Sequence, residues 1–343
     1  MKTIGFQKLI TIVDELLKRV GASDEEAAIV SESLVNANLA GVDSHGIIRI
    51  IEYIDSVSEG KIVLGSRMKK VYETPTTCRI NGNWGFGQLV ATKAVDLAVE
   101  KAHNHYLGSV SVFNCNHVGR LAEYTIRAAK KEMICLLTVN SDPTAAAFGG
   151  RKPILGTNPL SYSIPTGCGN PIVVDFATSV VSEGKVRNYF LKGEKIPQGW
   201  IVDSKGHPST NPADLYDPPL PPEDVKIGGA LLTFAGHKGY GLSLIIDVLS
   251  GALSGLGCNG DVREDANGLF ITAVNPEGFI SKDEFYNRVT KLIRNIKSSP
   301  KAAGVKEIFI PGEIEFREIE IRKRNGIPIP DEVWDKIMEL YKS

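Results

Sequence analysis

Residues 255–260 of this chain read Gly-Leu-Gly-Cys-Asn-Gly, and the sequence on either side of them decides which kind of α/β fold is possible. The spacing GxGxxG belongs to the Rossmann fold only where it follows a strand and opens a helix, because the helix N-terminus then meets a pyrophosphate group. Here the order is reversed: an apolar helical pattern at 240–256 leads into the glycines, and the polar run 261–265 follows them. No P-loop spacing occurs either. We therefore expect that a dinucleotide, if one binds to this chain, does not bind in the ordinary Rossmann way.

The middle of the chain alternates between two hydrophobic periodicities. Short runs rich in β-branched and aromatic residues predict strands, and apolar residues three and four positions apart predict helices. The predicted strands are residues 71–74, 108–113, 134–139, 160–164, 172–176 and 269–274, and the predicted helices are residues 88–102, 121–131, 181–191 and 240–256. This alternation predicts an α/β domain over residues 71–280. A proline-rich segment at 211–226 predicts an exposed, irregular connector within it.

Both ends of the chain are helical in pattern. The first part predicts one helix at 6–20, a second from a capping box of Ser23 and Glu26 to about Ala40, and a third at 44–60. Further helices are predicted at residues 283–296, 313–324 and 331–341. The simplest architecture packs all of these into one helical domain, residues 1–70 plus 281–343, with the α/β domain inserted between its two halves.

Bulk composition excludes several classes of protein. The 343 residues carry a net charge of −1, which provides no long-range attraction for nucleic acid or for an anionic membrane surface. No apolar run follows Met1 and Lys2, so we expect no signal peptide and a cytoplasmic location. The five cysteines are far apart and form no CxxC pair, which favours reduced thiols over a zinc or disulfide framework.

A first candidate site lies at the start of the third predicted helix, at Ser44-His45-Gly46. His45, Arg49 and Tyr53 are four positions apart, so on a helix they form one polar stripe. At a helix N-terminus the dipole disfavours a protonated imidazole and helps to bind an anion, and a guanidinium one turn later can hold a carboxylate in two places. Taken alone, this segment is explained better as a solvated helix face with a capping serine.

His117 is the stronger candidate for proton transfer. It follows the strand predicted at 108–113, and a helix is expected to begin at about Gly119. A loop between a strand end and a helix start is where α/β proteins place binding groups. A histidine titrates near neutral pH, so it can give a proton to a carbonyl oxygen and accept it back from an alcohol. A helix cap is an equally good explanation of this histidine in isolation.

Two further segments suit a large anionic ligand. Residues 175–179, Asp-Phe-Ala-Thr-Ser, end a predicted strand with small and hydroxyl side chains that let a ligand approach the backbone closely. Residues 236–241, Gly-His-Lys-Gly-Tyr-Gly, open a predicted helix and bring Lys238 next to free amide donors, which suits phosphate. A glycine-rich helix start needed for tight packing explains the second segment equally well.

In order along the chain, these segments resemble the malate/L-lactate dehydrogenase family of the non-Rossmann type, which also includes L-sulfolactate, ureidoglycolate and 2,3-diketogulonate dehydrogenases or reductases and imino-acid reductases. The resemblance covers nearly the whole chain. It is carried by Ser44-His45-Gly46 with Arg49 and Tyr53, by residues 116–119, 155–159, 175–179, 184–185, 196–200 and 237–241, and by Pro311-Gly312-Glu313. The chain departs from many relatives at Val118, where they have an aromatic residue, and at Ser182-Glu183, where they have Ala-Arg. These departures bear on substrate choice more than on chemistry.

The resemblance implies an NAD(P)-dependent oxidoreductase of α/β (α+β) class, with a non-Rossmann NAD(P)-binding domain built on a mixed sheet and a helical domain formed by both chain ends. His117 resembles the catalytic acid/base of some members, and His45 the proton donor proposed in others. Arg49 would hold the substrate carboxylate, and Ser44 and Tyr53 would assist substrate binding. The residues that correspond to cofactor contacts are Ser141, Asp175, Phe176, Ala177, Thr178, Ser179, His237, Lys238, Pro311, Gly312 and Glu313.

The resulting hypothesis is reversible hydride transfer between C4 of a nicotinamide and C2 of a small 2-hydroxy/2-oxo acid, such as malate, lactate or a sulfolactate-like acid. The cofactor would be NAD or NADP, with a slight preference for NAD, and no metal is expected. The family also implies a homodimer with the active site near the subunit interface. The alternatives are an imino-acid or diketo-sugar-acid reductase, a non-catalytic anion-binding protein, and a metal-dependent hydrolase, against which the lack of a clustered His/Asp ligand set argues.

Overall fold

The computed structural model describes residues 1–167, 169–217, 226–258, 263 and 265–342. The helices found among these residues are α1 (Phe6–Arg19), α2 (Asp24–Leu39), α3 (Arg49–Ser58), α4 (Gly87–His105), α5 (Ala122–Ala129), α6 (Glu183–Lys192), α7 (His237–Asp247), α8 (Lys282–Lys297), α9 (Glu313–Asn325) and α10 (Asp331–Lys342). The strands are β1 (Lys2–Ile4), β2 (Lys69–Glu73), β3 (Thr77–Asn81), β4 (Leu107–Asn116), β5 (Ile134–Val139), β6 (Ala145–Ala146), β7 (Pro153–Leu155), β8 (Leu160–Ile164), β9 (Ile172–Phe176), β10 (Ile201–Val202), β11 (Pro208–Ser209), β12 (Tyr216–Asp217), β13 (Lys226–Ile227), β14 (Ala230–Leu231), β15 (Ala266–Val274) and β16 (Ile327–Ile329).

A seven-stranded mixed sheet lies at the centre, in the order β2-β3-β4-β15-β5-β8-β9. Strands β3 and β4 run parallel, and the other neighbouring pairs are antiparallel. This arrangement confirms the predicted α/β class with a mixed sheet and without a Rossmann order. All of the strands predicted for the middle of the chain belong to this sheet, and β3 is the member that was not predicted.

The two faces of the central sheet are covered differently. Leu137 and Val139 of β5 are buried in the core that α4 and α5 build on one face. Thr138 lies between them and therefore points to the opposite face, since side chains alternate along a strand. There its hydroxyl is 2.9 Å from the Ser250 hydroxyl, in a π-helical turn (Val248–Ala252) that continues α7. The sheet is thus enclosed between α4 and α5 on one face and the α7 segment on the other.

The helices of the two chain ends share a second hydrophobic core. Helix α1 packs on α2 and α10, and β1 pairs antiparallel with β16. The fully buried members of this core come from both termini and include Leu9, Leu17, Leu34, Ile327 and Ile337. The predicted capping box of Ser23 and Glu26 begins α2. The joining of both chain ends agrees with the predicted architecture, and the boundaries at residues 70 and 281 stay a prediction.

The third helix does not begin at Ser44, as the sequence suggested. Asp43–His45 form a separate 3₁₀ turn, the chain bends at Gly46, and α3 begins at Arg49. His45 is therefore not in the first turn of an α-helix, and its alignment with Arg49 and Tyr53 along one helix is wrong. The physical reason is tertiary: the Asn38 side-chain oxygen accepts the backbone N–H of Ile47 at 2.8 Å and replaces a helical bond.

Two other local predictions are also settled. Within the proline-rich connector, Pro212–Leu215 form a 3₁₀ helix capped by Asn211, and β12 pairs with β13, so this part is not irregular. Proline is tolerated in the first turn of a helix, because its missing N–H would have no partner there. Residues 218–225 lie outside the described residues.

The GxGxxG segment is described only in part, since Asn259 and Gly260 lie outside the described residues. Gly255 follows a helical turn and packs on the Arg79 guanidinium. A Cβ added at Gly255 would lie 1.9 Å from that guanidinium.

Candidate active site

Two histidines from separate parts of the fold meet at the centre of the candidate site. His117 follows directly after β4, and His45 ends the 3₁₀ turn between α2 and α3. Their ring centroids are 5.5 Å apart and the rings are tilted by 32°. The segments Ser44-His45-Gly46 and 116–119, both singled out in the sequence, are therefore neighbours in space.

The His117 imidazole is held by a chain of hydrogen bonds behind it. Its Nδ1 lies 2.8 Å from the hydroxyl oxygen of Tyr53, and the Gln88 Nε2 donates to that same oxygen at 2.7 Å. Both partners are buried, with Tyr53 4% and Gln88 1% exposed. The start of α4 packs tightly on this segment, because a Cβ at Gly87 would lie 2.2 Å from the His117 carbonyl oxygen. His117 is thus fixed in one orientation, with Nε2 left for a ligand.

His45 is supported mainly by its own turn. Its Nδ1 lies 3.0 Å from the Ser44 hydroxyl, and the Arg49 Nε donates to the Ser44 carbonyl oxygen at 2.8 Å. Arg49 also pairs with Glu52, to whose carboxylate its Nη1 donates at 2.7 Å. The guanidinium that was predicted to hold a substrate carboxylate therefore braces the Ser44 backbone and is ion-paired with an exposed neighbour.

Helices α2 and α9 hold the turn in place from the other side. The Asn38 amide donates to Asp43 at 2.7 Å, and a Cβ on Gly46 would lie 2.2 Å from the Asn38 oxygen. Arg322 of α9 donates to the Asp43 carboxylate at 2.7 Å and to the Asn38 carbonyl oxygen at 2.7 Å. The glycine of the Ser44-His45-Gly46 segment is thus required by close packing, and the C-terminal part of the chain fixes the position of His45.

Both imidazoles are neutral at pH 7. Burial lowers the pKa of His45 to about 4, with help from the charges of Arg49 and Arg120. Burial also lowers the pKa of His117 well below its ordinary value, and Arg49 and His45 add to that effect. A neutral imidazole can accept a proton, and an anion bound nearby would raise both pKa values again.

A cavity of about 270 Å³ opens beside His45. Its walls come from the 3₁₀ turn, the loop between β4 and α5, the end of β9 and the start of α9. Six residues assigned to the site from the sequence line it, namely Ser44, His45, Asp175, Phe176, Ala177 and Gly312. The structure thus brings residues predicted for substrate and for cofactor to the same cavity.

Asp175 has a structural bond as well as a place in the cavity wall. Its Oδ2 accepts the backbone N–H of Ala122 at 2.8 Å, at the first residue of α5. The surrounding protein excludes part of the solvent and raises the pKa of this carboxyl to about 6, although the Ala122 N–H and the Arg120 charge oppose the shift. Asp175 therefore helps to join β9 to α5 and contributes a carboxyl group to the cavity wall.

The remaining predicted cofactor residues do not line this cavity. The hydroxyls of Thr178 and Ser179 donate to the backbone carbonyls of Thr157 and Val181, so they face protein. The Ser141 hydroxyl lies 3.2 Å from that of Thr157, which lines the cavity. The other members with no place in the wall are Pro311 and Glu313, which bond to the backbone of Val173 and Ile310, and His237 and Lys238, which begin α7.

Sequence reasoning missed two residues of this region. Gln88 gave no signal, because its contact with Tyr53 depends on how α4 packs on α3. Arg120 lines the cavity and is 8% exposed, and it lies next to the segment 116–119 that had already been noted. A charged residue at the start of a buried helix was the signal that could have identified it.

A metal site would require several ligating side chains gathered in one place. Across the described ranges, no group of three or more His, Cys, Asp or Glu side chains is arranged to hold a metal ion. In the same part of the chain, no helix has the length and apolar character needed to cross a membrane.

Comparison with known proteins agrees with this fold. The family model for malate/L-lactate dehydrogenase matches residues 4–338. A malate dehydrogenase from Pyrococcus abyssi is 40% identical, over 98% of this chain and 93% of that protein. The structure of sulfolactate dehydrogenase from Methanocaldococcus jannaschii superposes with a TM-score of 0.90 at 35% identity, covering 99% of this chain and 97% of that one. The Δ1-piperideine-2-carboxylate reductase from Pseudomonas syringae pv. tomato superposes with a TM-score of 0.85 at 27% identity, covering 99% of this chain and 100% of that one.

The mixed-sheet fold and the family match therefore define an oxidoreductase of the dehydrogenase class. The match extends over almost the full length of the chain, and it includes both the helical ends and the central sheet. The chain belongs to the malate/L-lactate dehydrogenase family.

Proposed function

We propose that this chain catalyses reversible hydride transfer between NAD(P) and C2 of a small 2-hydroxy/2-oxo acid. One observation carries the proposal: the His117 imidazole is held at Nδ1 by Tyr53 and lies 5.5 Å from the cavity-lining ring of His45. It supports the proposal because an imidazole held in one orientation can act as a proton acceptor, and the cavity of about 270 Å³ next to His45 is close in volume to the smaller ligand sites of proteins.

His117 moves the proton in this proposal. In the oxidation direction, neutral His117 accepts the proton of the substrate hydroxyl at Nε2, and in reduction it returns that proton to the forming alkoxide oxygen. Because Nε2 is the proton acceptor, the neutral ring carries its proton on Nδ1, and the Tyr53 oxygen accepts a hydrogen bond from Nδ1–H both before and after the transfer. Its contact with Gln88 keeps it in place. Tyr53 acts as a positioning residue for His117 and not as a direct substrate ligand.

Arg49 is the proposed ligand of the C1 carboxylate. Its Nη1 pairs with Glu52, whose side chain is 56% exposed, so the substrate can compete with Glu52 for the same guanidinium. An exposed ion pair is worth less than about 1 kcal/mol, whereas a bidentate bond to a desolvated carboxylate is stronger. The Arg49 Nε would keep its bond to the Ser44 carbonyl and so couple carboxylate binding to the His45 turn.

The residues present fit a nicotinamide cofactor. Gly312 has φ of +95° and its Cβ would lie 2.9 Å from the Val173 Cβ, so this part of the wall has no room for a side chain. Together with Ala177 it forms a surface that a flat ring can approach closely. His237 and Lys238, at the open N-terminus of α7, would hold phosphate. When bound, the nicotinamide would donate a hydride to C2 of the 2-oxo acid or accept one from C2 of the 2-hydroxy acid.

Steady-state kinetics with His117→Ala test the proposal. Wild-type protein should oxidise NADH or NADPH in the presence of pyruvate or oxaloacetate. The variant should lose about 10²–10⁴-fold in kcat, because general acid/base catalysis contributes that much, and its NADH affinity should change little. His105→Ala, at the exposed end of α4, is the matched control. Near-native turnover by His117→Ala would move the proton-transfer role to His45, and no turnover by wild type would refute the proposal.

A cyclic imino acid is the second candidate substrate, because of the similarity to a Δ1-piperideine-2-carboxylate reductase. The same histidines would then supply a proton to nitrogen. Kinetics with Δ1-piperideine-2-carboxylate beside pyruvate and oxaloacetate distinguish the two candidate substrates. We expect kcat/KM for the true substrate class to exceed that for the other class by at least tenfold.

We also propose a homodimer, a cytoplasmic location and the domain division at residues 70 and 281. The dimer is supported by apolar side chains left exposed along α7 and the π-helical turn, at Leu244, Ile245, Val248 and Leu253. A contiguous apolar face of this kind favours burial against a second subunit. Sedimentation velocity over a range of protein concentrations measures the oligomeric state directly.

A further inference from the structure

Arg120 is a second guanidinium in the cleft, and it has no assigned role. It is 8% exposed and lines the cavity beside His45. Among the residues that the structure describes, none forms a hydrogen bond or an ion pair with its side chain. None of its guanidinium nitrogens is among the fully enclosed side-chain atoms that lack a partner, so they meet the open cavity. A guanidinium that faces a cavity and makes no bond to protein can donate hydrogen bonds to an anion that enters the cavity.

The carboxyl groups near Arg120 do not supply that partner. The Asp175 Oδ2 accepts a hydrogen bond from the Ala122 N–H, and the Glu123 carboxylate accepts one from the Ser33 hydroxyl at 2.8 Å. Burial raises the pKa of Asp175 to about 6 and that of Glu123 to about 7, even though the charge of Arg120 opposes both shifts. Glu315 also lines the cavity and is not ion-paired with Arg120. The guanidinium charge thus remains only partly balanced by the protein.

We propose that Arg120 binds the distal acid group of a dianionic 2-oxo acid, either a carboxylate or a sulfonate. The inference deepens the proposed function and rests on it. Arg120 follows His117 by three residues across a turn at Gly119, which has φ of +74°. Arg120 and His45 line the same cavity, and the His45 ring centroid is 5.5 Å from that of His117, so one small ligand can face both the histidine pair and this guanidinium.

A cofactor phosphate is the other oxyanion that could occupy this position. The substrate is favoured because the charge of Arg120 acts on the nearby His45 and because Lys238 offers phosphate a separate site at the start of α7. Two cations then divide the recognition of the substrate: Arg49 holds the carboxylate next to the reacting carbon, and Arg120 holds the far end. Substrate specificity for diacids over monoacids would reside at position 120.

The test compares oxaloacetate, a diacid, with pyruvate, a monoacid, in Arg120→Gln and Arg120→Lys. Arg120→Gln should lower kcat/KM for oxaloacetate by about 10- to 100-fold, as expected for a lost charge-assisted bond, and should change the value for pyruvate by less than about threefold. Arg120→Lys should recover part of the oxaloacetate activity. The control is Arg127→Gln in the following helix α5, where the guanidinium pairs with Asp96 on the surface.

Three results would overturn the inference. Equal losses with both substrates would make Arg120 a general structural residue, and a raised KM for NADH alone would assign it to a cofactor phosphate. If the wild type reduces no 2-oxo acid, the proposed function fails. Calorimetry with malonate, a dianion, and with acetate, a monoanion, then tests separately whether Arg120 binds an acid group. Malonate binding that is lost in Arg120→Gln and kept in Arg127→Gln then supports the anion subsite, whereas malonate binding unchanged in Arg120→Gln, or absent in wild type, refutes it.

Discussion

At the scale of single residues, Tyr53 controls the His117 imidazole most directly. Replacing it in Tyr53→Phe removes the hydroxyl bonded to Nδ1 and leaves the Gln88 Nε2 without its acceptor. We expect kcat to fall by about tenfold or more, corresponding to about 1.4 kcal/mol in the barrier, and the pH profile of kcat to shift. Tyr341→Phe is the control, because its hydroxyl bonds to Glu15 far from the site. A variant with an unaltered kcat and pH profile would show that Tyr53 has no positioning role.

His45 also makes the stability of the protein depend on pH. Its pKa is about 4 in the folded protein against 6.5 for the free group, so between these values the unfolded chain binds more protons. The free energy of unfolding should therefore be highest above pH 6.5 and should fall as the pH decreases towards 4. The contribution is about 1–3 kcal/mol, since the ring keeps some solvent contact. His117 adds a loss in the same direction.

Urea unfolding of His45→Gln at several pH values measures this contribution. The variant should show a smaller decrease in the free energy of unfolding between pH 6.5 and 4 than the wild type. His105→Gln, an exposed substitution, should retain the full decrease. An identical decrease in His45→Gln and wild type would contradict the burial argument.

Residue identities were easier to anticipate from the sequence than residue partners. His117, His45 and the segment 175–179 were recognisable because histidines and small residues at strand ends suit binding chemistry. The partnerships of Gln88 with Tyr53 and of Asp175 with the Ala122 N–H were not, because each depends on the packing of separate elements. A one-dimensional pattern carries no information on such contacts.

At the scale of elements, α9 positions the 3₁₀ turn that carries His45. Arg322→Gln removes the bonds to Asp43 and to the Asn38 carbonyl oxygen, and the side chain of Arg322 is 12% exposed. We expect a loss of about 1–3 kcal/mol in the free energy of unfolding and a raised KM for the 2-oxo acid, since the His45 turn loosens.

The matched control for this substitution lies on the same helix. Arg317→Gln breaks an exposed pair with Glu307, which should affect stability by less than about 1 kcal/mol and leave KM unchanged. Equal effects of the two substitutions in urea unfolding and in kinetics would argue against a link between α9 and the active site.

The elements themselves were mostly predictable, with two instructive exceptions. Strand β3 alternates buried Cys78 and Ile80 with partly exposed neighbours, but it is short and was not recognised beside β2. The sequence predicts the third helix to begin too early, because Ser44 resembles a helix cap. In the structure the Asn38 side-chain oxygen accepts the backbone N–H of Ile47 instead. In both cases the missing information is the neighbour against which the segment packs.

At the scale of the whole molecule, the sequence predicted a mixed α/β core joined to helices from both ends. Hydrophobic periodicity is sufficient for that, since it records which side of each element is buried. The order of the seven strands and the position of the cavity depend on contacts between distant segments, and they are known only from the coordinates.

The bond from Arg322 to Asp43 has a consequence for the biosynthesis of the protein. It joins positions separated by 279 residues, so the N-terminal helices leave the ribosome long before their clamp is translated. In a nascent chain that has completed its central sheet, Asn38 can already hold the His45 turn, but Arg322 does not yet do so. The support of this turn is therefore completed only near the end of translation, when α9 docks.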